Sequence, residues 1–249
     1  MSNRNKIYFA SDFHLGAASH SDPVEVERKL VRWLSSIAAE AKAVYLLGDI
    51  FDFWYELRYA VPKGFTRLLG KLAELNDMGV EIHLFIGNHD VWMFDYLPRE
   101  IGAKIHTKPL VAEIEGKHFF LAHGDGLGER SVGFRFIRRI FHNKVCRMLY
   151  SSLHPRWSFS LAGWFSRKSR ENGELKGYLG EQNEHLVSFA KGYAAEHPEI
   201  DYFVFGHRHI MLDLQLPGNS RLFIIGDWLS YFSYLVFDGS AISLEQFEE

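Results

Sequence analysis

The sequence predicts a layered α/β fold of two packed sheets flanked by helices, and two observations carry that expectation. Up to about residue 90, short apolar runs alternate with stretches whose apolar residues recur at helical spacing; from about residue 110, short strands and turns dominate. Continuous apolar strands separated by helices imply a largely parallel sheet with covered faces. The succession of strands after residue 110 implies a second, mostly antiparallel sheet.

In chain order, Ile7-Tyr8-Phe9-Ala10 is the first strand, and Leu30, Trp33, Leu34, Ile37, Ala38 and Ala41 mark a helix. Residues 43–47 form the second strand. Phe65, Leu68, Leu69, Leu72 and Leu75 mark a second helix that stops near Gly79, before the third strand at residues 82–86. Residues 110–114 and 118–122 flank Glu115-Gly116-Lys117 as a hairpin. Later strands are expected at 202–205, 211–216, 221–225, 234–237 and 242–245.

A segment from about 130 to 180 interrupts the β-rich half. Phe134, Ile137, Phe141, Val145 and Met148 sit at helical spacing with arginines between them, and Trp157, Leu161, Trp164 and Phe165 follow. It is too short and too basic to build its own core, so a single domain spanning 1–249 with a helical insertion is expected. The insertion is either an amphipathic pair capping the sandwich or a lid over a substrate.

Bulk properties narrow the class. The chain has 249 residues, 47% of them hydrophobic, with a net charge of −3, which gives no sign of a nucleic-acid partner. Residues 130–176 nevertheless hold eleven Lys/Arg against two acids, so that segment is +9 and the remainder −12. A surface so segregated suits an anionic partner. The lone Cys146 excludes an internal disulfide and fits a reducing compartment. No apolar run approaches the length of a membrane span, and a cytoplasmic protein is expected.

Five strand ends share one feature: an apolar run stops and metal-ligating residue types follow. These are Ser11-Asp12-Phe13-His14, Gly48-Asp49-Ile50-Phe51-Asp52, Gly87-Asn88-His89-Asp90, His123-Gly124-Asp125 and Gly206-His207-Arg208-His209. Carboxyl ends of strands are where layered α/β folds gather ligands. Asp12, His14, Asp49, Asn88, His123, His207 and His209 offer oxygen and imidazole donors without thiolate, a set suited to Mn²⁺, Fe or Zn²⁺. Seven donors exceed one tetrahedral site but suit two cations sharing a carboxylate, about 3.5–4 Å apart. The other eight histidines, His106 among them, have no such placement and are expected to be structural.

These blocks resemble the signature of calcineurin-like metallophosphoesterases, and they run from residue 12 to 209, most of the chain. The resemblance implies a four-layer αββα sandwich and a binuclear metal-dependent hydrolase of phosphoric esters or pyrophosphates. It further implies one metal on Asp12, His14, Asp49 and His209 and another on Asp49, Asn88, His123 and His207, with Mn²⁺ the expected ion. Asn88 and His89 would also meet the substrate, with His89 stabilising a phosphoryl oxygen or protonating the leaving group and Asp52 orienting it. Chain length, residues 48–54, His123-Gly124-Asp125, the insertion and Gly226-Asp227-Trp228 are similar to the branch that cleaves UDP-2,3-diacylglucosamine to lipid X and UMP in lipid A biosynthesis. His89 departs from the Arg that better-known members of that branch carry.

Two substrates therefore stand open. One is an anionic lipid-linked nucleotide sugar met at the cytoplasmic face of the inner membrane, with Arg167, Lys168 and Arg170 as phosphate contacts. The other is a soluble nucleotide-like phosphodiester or phosphomonoester. A non-catalytic scaffold would be expected to lose ligands, and all seven are present.

Overall fold

The computed structural model describes residues 4–17, 22–128 and 177–248 continuously, and within 129–176 it describes 133, 136, 139–141, 143–154, 157, 158, 160, 161 and 163. The first sheet has the order β11-β10-β1-β2-β3-β4, where β1 is Lys6–Ala10, β2 Ala41–Leu46, β3 Glu81–Phe85, β4 Lys104–His106, β10 Ser233–Phe237 and β11 Ile242–Gln246. Its β1 to β4 pairings are parallel, while β10 joins β1 antiparallel and β11 joins β10 antiparallel. The second sheet has the order β5-β6-β7-β9-β8, with β5 at Leu110–Ile114, β6 at Lys117–Ala122, β7 at Tyr202–Phe205, β8 at Met211–Gln215 and β9 at Arg221–Ile225.

Alternation along the strands explains the layering. Tyr8, Ala10, Val44, Leu46, Ile82 and Leu84 face one core, shared with Leu30, Trp33 and Leu34 of α1 (Pro23–Ile37), Leu68, Leu72 and Leu75 of α2 (Thr66–Asp77), and Leu97 of α3 (Tyr96–Ile101). Ile7, Phe9, Tyr45 and Phe85 face the opposite way and meet Phe119, Leu121, Val204 and Phe223 of the second sheet. Phe9 lies on Phe119 with ring centroids 5.6 Å apart, directly between the sheets. The outer face of the second sheet is closed by Leu186, Val187 and Ala190 of a further helix, His185–Glu196, packed on Phe203, Phe205 and Leu222. The order is helix, sheet, sheet, helix, as expected.

Three details differ from the sequence expectation. The second sheet is mixed, since β6, β7 and β9 run parallel and only its two edge strands are antiparallel. The final hairpin belongs to the first sheet, because Leu235 and Phe237 pack between the sheets beside β1. Ala41 begins β2, and Ala38 lies past the end of α1. Both alanines are buried whichever element they occupy, so their spacing imitates a longer helix.

The described part of the insertion includes α4 (Lys144–Ser151), capped by the Asn143 side chain accepting from the Val145 and Cys146 amides. The last described helix, His185–Glu196, is therefore α5. It is fastened to the loop after β7 by a buried ion pair, in which Arg208 Nε and Nη2 donate to Glu184 at 2.9 Å each. Burial works against ionisation of Glu184, but the Arg208 guanidinium outweighs it and holds the carboxyl below its usual range. Such a group stabilises the fold above its unfolded pKa and loses that contribution as pH falls through the folded value. Glu184→Gln is expected to lower stability by about 3 kcal/mol at neutral pH, because a buried guanidinium loses its counter-charge. In urea titrations the gap from the native chain should narrow as pH drops below about 4.3; a gap independent of pH would refute the ionic account.

Candidate active site

The five turns converge at one end of the sheets. Backbone bonds tie the first two loops: Asp12 N donates to Gly48 O at 3.1 Å and His14 N to Asp49 O at 2.9 Å. The His207 amide donates to Asp12 Oδ2 at 2.9 Å, which draws in the loop after β7, and Ser11 Oγ donates to the same oxygen. Asp12, His14, Asp49, His207 and His209 all have positive φ, between 45° and 67°; only three other non-glycine residues do among those described. Asp and His tolerate this region better than most, and strain concentrated on one cluster is a mark of function.

Three groups of donors result. Asp12, His14 and His209 offer atoms within 4.8 Å of one another, as do Asp49, His123 and His207, and as do His14, Asp49 and His89, which overlap both. Asp49 joins them: Oδ2 lies 3.8 Å from His14 Nε2 and 3.2 Å from His123 Nε2. Asn88 Oδ1 stands 3.1 Å from His123 Nε2, so the seven residues expected as ligands meet around Asp49. Asn88 and His207 are partly exposed and form the open edge, whereas Asp12, His14 and Asp49 are buried.

The donors point inward as cation ligands would. His123 Nδ1 donates to the Leu47 carbonyl at 2.8 Å, and His209 Nδ1 donates to Asp227 Oδ2 at 3.2 Å. In both rings the outer nitrogen thereby keeps its proton, and Nε2 is the atom that would give its lone pair to a cation. His14 Nε2 and His209 Nε2 lie 3.3 Å apart, and Asp12 Oδ1 is buried without a hydrogen bond although these nitrogens stand 3.7 and 3.4 Å away. A carboxylate oxygen left without a donor beside two imidazole nitrogens fits a site for a cation.

Electrostatics agree with this geometry. Burial opposes the charge of Asp49, but the imidazoles around it, His123 foremost, hold its carboxyl well below the ordinary range. Burial likewise disfavours a charged His123, yet Asp49 raises it to about 10. His207 moves the other way, down to about 4, through burial and the charge on His123. The protein alone gathers protons here where a cation would replace them.

A family model described as calcineurin-like phosphoesterase matches residues 5–211. The chain belongs to the calcineurin-like phosphoesterase family. Like the family, it is a phosphoester hydrolase dependent on divalent metal, and the donors above are the groups able to hold that metal. Its sequence is similar to a Porphyromonas gingivalis protein named UDP-2,3-diacylglucosamine hydrolase, at 50% identity over 99% of each chain. Proteins of that name from Neisseria meningitidis serogroup C (strain FAM18) and Stutzerimonas stutzeri are 30% and 27% identical, covering 93% and 89% of this chain and 94% and 90% of their own.

His89 lies beside this calcineurin-like centre: its amide donates to Asp49 Oδ1 at 2.9 Å, and its ring meets that of His14 edge-on at 4.8 Å. Asp52 touches it differently from the expectation. The His89 Nδ1 proton goes to the Asp52 backbone carbonyl at 3.1 Å, while the Asp52 carboxylate stands 3.7 Å from Nδ1 of both His89 and His14. Asp52 thus serves two rings. Arg167, Lys168 and Arg170 lie outside the described residues.

Sequence reasoning named three supporting acids only as parts of motifs, or not at all. Asp90 accepts from the Gly87, Asp49, Ile50 and Phe51 amides at 2.8–3.3 Å, clamping the loops after β2 and β3 together. Burial and the neighbouring Asp49 charge raise Asp90 to about 6. Asp227 orients His209, as described, and its place in Gly226-Asp227-Trp228 was the available signal. Glu56 accepts from Trp54 Nε1 and from the Asp95 and Tyr96 amides, joining the loop after β2 to α3; nothing in its sequence context marks it.

Glycine is required where the loops touch. A Cβ on Gly87 would lie 2.1 Å from Asp49 Oδ1 and 2.5 Å from the Asp49 amide nitrogen. Gly87→Ala is therefore expected to fold with a displaced Asp49 and to hold fewer than two metal equivalents by elemental analysis. Full metal loading of that variant would refute the close-approach argument.

Proposed function

We propose that the protein hydrolyses the pyrophosphate of UDP-2,3-diacylglucosamine, releasing UMP and lipid X in lipid A biosynthesis. The observation that carries this reading is 50% identity, end to end, with a relative named for that substrate. In this reading Asp12, His14, Asp49 and His209 hold one divalent cation and Asp49, Asn88, His123 and His207 another, with Asp49 shared. Mn²⁺ is the proposed ion, and Fe or Zn²⁺ would accept the same donors. Cations there supply positive charge to the phosphoryl oxygens and acidify a water.

The chain's own groups do the rest. His89 is the proposed catalytic residue: its ring is fixed through Nδ1 by the Asp52 carbonyl, which leaves Nε2 as the edge toward the reacting phosphoryl or leaving oxygen. Asn88 offers its amide at the open edge of the centre, within reach of both a cation and the substrate. Asp52 is a positioning residue, holding His89 and standing beside His14.

The proposed domain is single, with the insertion at about 130–180 acting as a lid. Its α4 rests on the loops that carry the site: Tyr150 packs on Tyr55 and Trp92 at 5.3 and 4.9 Å and Arg147 covers Phe94, while ahead of α4 the Phe141 carbonyl accepts from Trp92 Nε1. Val145, Met148 and Leu149 share the opposite face of α4 and are about 60% exposed, and Trp157 is exposed beyond them. An apolar face left in water beside a basic segment suits acyl chains and anionic headgroups. Attachment to the cytoplasmic face of the inner membrane, with Arg167, Lys168 and Arg170 on phosphate, belongs to this reading. No helix among the described residues is long and apolar enough to cross a membrane.

His89, standing where better-known relatives of that branch carry Arg, favours a second reading: hydrolysis of a soluble nucleotide-like ester. Protein loaded with Mn²⁺ and mixed with UDP-2,3-diacylglucosamine in anionic vesicles should cosediment with them at low salt and release UMP. Turnover of only a generic aryl phosphodiester, with the protein left in the supernatant, would favour the second reading and overturn the first. Among variants, Asp49→Ala should abolish metal-dependent turnover. His89→Ala should keep both metals while kcat falls about 10²–10⁴-fold; loss of metal together with rate would make His89 a ligand instead.

A further inference from the structure

A cavity of about 160 Å³ opens beside the candidate metal centre, bounded by Gly87 and His123 on the metal side and by Phe85, His106, Lys108 and Leu127 around it. It shares no residue with the surface that α4 covers, namely Phe53, Tyr55, Trp92 and Phe94 among the described residues. We propose that this cavity binds the nucleoside base of the substrate, so that the base and the acyl chains leave the metal centre by different sides.

The inference rests on the pyrophosphate reading above and adds to it where the uridine goes. Size is the first argument. At about 10–15 Å³ of such space per water the cavity holds on the order of ten waters, room enough for a heterocyclic ring. Chemistry is the second. His106 lies flat on Phe85, with centroids 4.5 Å apart and planes inclined 22°, and its Nε2 is engaged by His83 Nδ1 at 2.9 Å. That ring is held rigid, with Phe85 behind one face, at the wall of the cavity. Burial, aided by the Lys104 charge, keeps His106 below its ordinary pKa, so at neutral pH it offers an uncharged aromatic surface. Flat aromatic surfaces with a polar edge are what proteins use to stack single bases.

Charge is the third argument. The cavity wall carries one carboxylate, Asp125, and one ammonium, Lys108; Lys108 is exposed and makes no hydrogen bond or ion pair with the described residues, so it is available to a phosphate approaching from the metal side. Leu127 and Phe85 supply the apolar wall that an acyl-free nucleoside would cover, and Thr107 at the exposed rim offers a hydroxyl. The wall is about half polar and half apolar, which suits a base with a flat face and hydrogen-bonding edges.

The test is calorimetric and uses the whole chain loaded with Mn²⁺, titrated with UMP, with ribose 5-phosphate and with inorganic phosphate. UMP should bind about tenfold more tightly than ribose 5-phosphate, the difference being the base. Thr107→Trp, which fills the rim from an exposed position, should remove that advantage while inorganic phosphate binds as before. Lys108→Glu should weaken all three ligands. Equal affinity for UMP and ribose 5-phosphate, or an advantage that survives Thr107→Trp, would overturn the inference whatever the enzyme does to the lipid substrate. Conversely, a UMP preference that Thr107→Trp abolishes, in a protein that leaves UDP-2,3-diacylglucosamine intact, would retain the base pocket and sink the lipid-substrate reading alone.

Discussion

The carboxylate of Asp49 is almost wholly buried, with a second carboxylate, Asp12, entirely buried nearby. Removing an ion from water costs several kcal/mol even after relaxation, so two such charges persist only where positive charge is built around them. Here imidazoles supply it: His123 at 3.2 Å and His14 at 3.8 Å from Asp49, and His209 at 3.4 Å from Asp12. Imidazoles alone are a poor solution, because the charge that Asp49 favours on His123 lowers His207. Divalent cations resolve the conflict, since they attract every donor at once and need no protons. The positive φ angles and the contact of Gly87 with Asp49 follow from the same demand that separate loops meet at one point.

The two sheets bring that point into being. Parallel strands β1, β2 and β3 end side by side, so Asp12, Asp49 and Asn88 emerge from neighbouring turns. In the second sheet β6 and β7 are also parallel neighbours, which places His123 beside His207. Parallel pairing in both sheets, rather than in the first alone, is what aligns all five turns. Asp90 then fixes the spacing between the loops after β2 and β3, accepting from backbone amides on each. Four amides spread their cost over a single buried carboxylate, which leaves the catalytic loops little freedom to part.

Much of this was legible because the site consists of residue types that seldom follow apolar strands by accident. Asp12-x-His14, Gly48-Asp49, Gly87-Asn88-His89, His123 and His207-x-His209 were each read from the chain, and the structure brings them together. The strands at 202–205 and 221–225 were read to the residue, their ends being set by turns and polar neighbours. What was not legible depended on pairing partners. Nothing in Ser233–Phe237 says that it lies beside β1 instead of β9, since its inward residues would be apolar in either sheet. The three-residue β4 and the short α3 carry too few periods to register as patterns. Asp52 shows a subtler limit: sequence assigned its carboxylate to His89, while the fold uses its carbonyl for that ring and sets the carboxylate between two histidines.

The position of His106 shows why a residue's neighbours in space decide its meaning. By sequence it is one of eight histidines without a ligand motif, and its bond to His83 fits a structural role. Yet β4 is an edge strand, so the end of β4 has protein on one side only, and a ring held there faces whatever enters beside His123. A histidine anchored in a core would have been silent; the same histidine at a sheet edge, with Lys108 two residues on, becomes a wall. Tyr150 of α4 packs on Tyr55 and Trp92, none of which lines the small polar-edged cavity. An enzyme for a molecule that is lipid at one end and nucleotide at the other needs that asymmetry, and a phosphatase for small soluble esters does not.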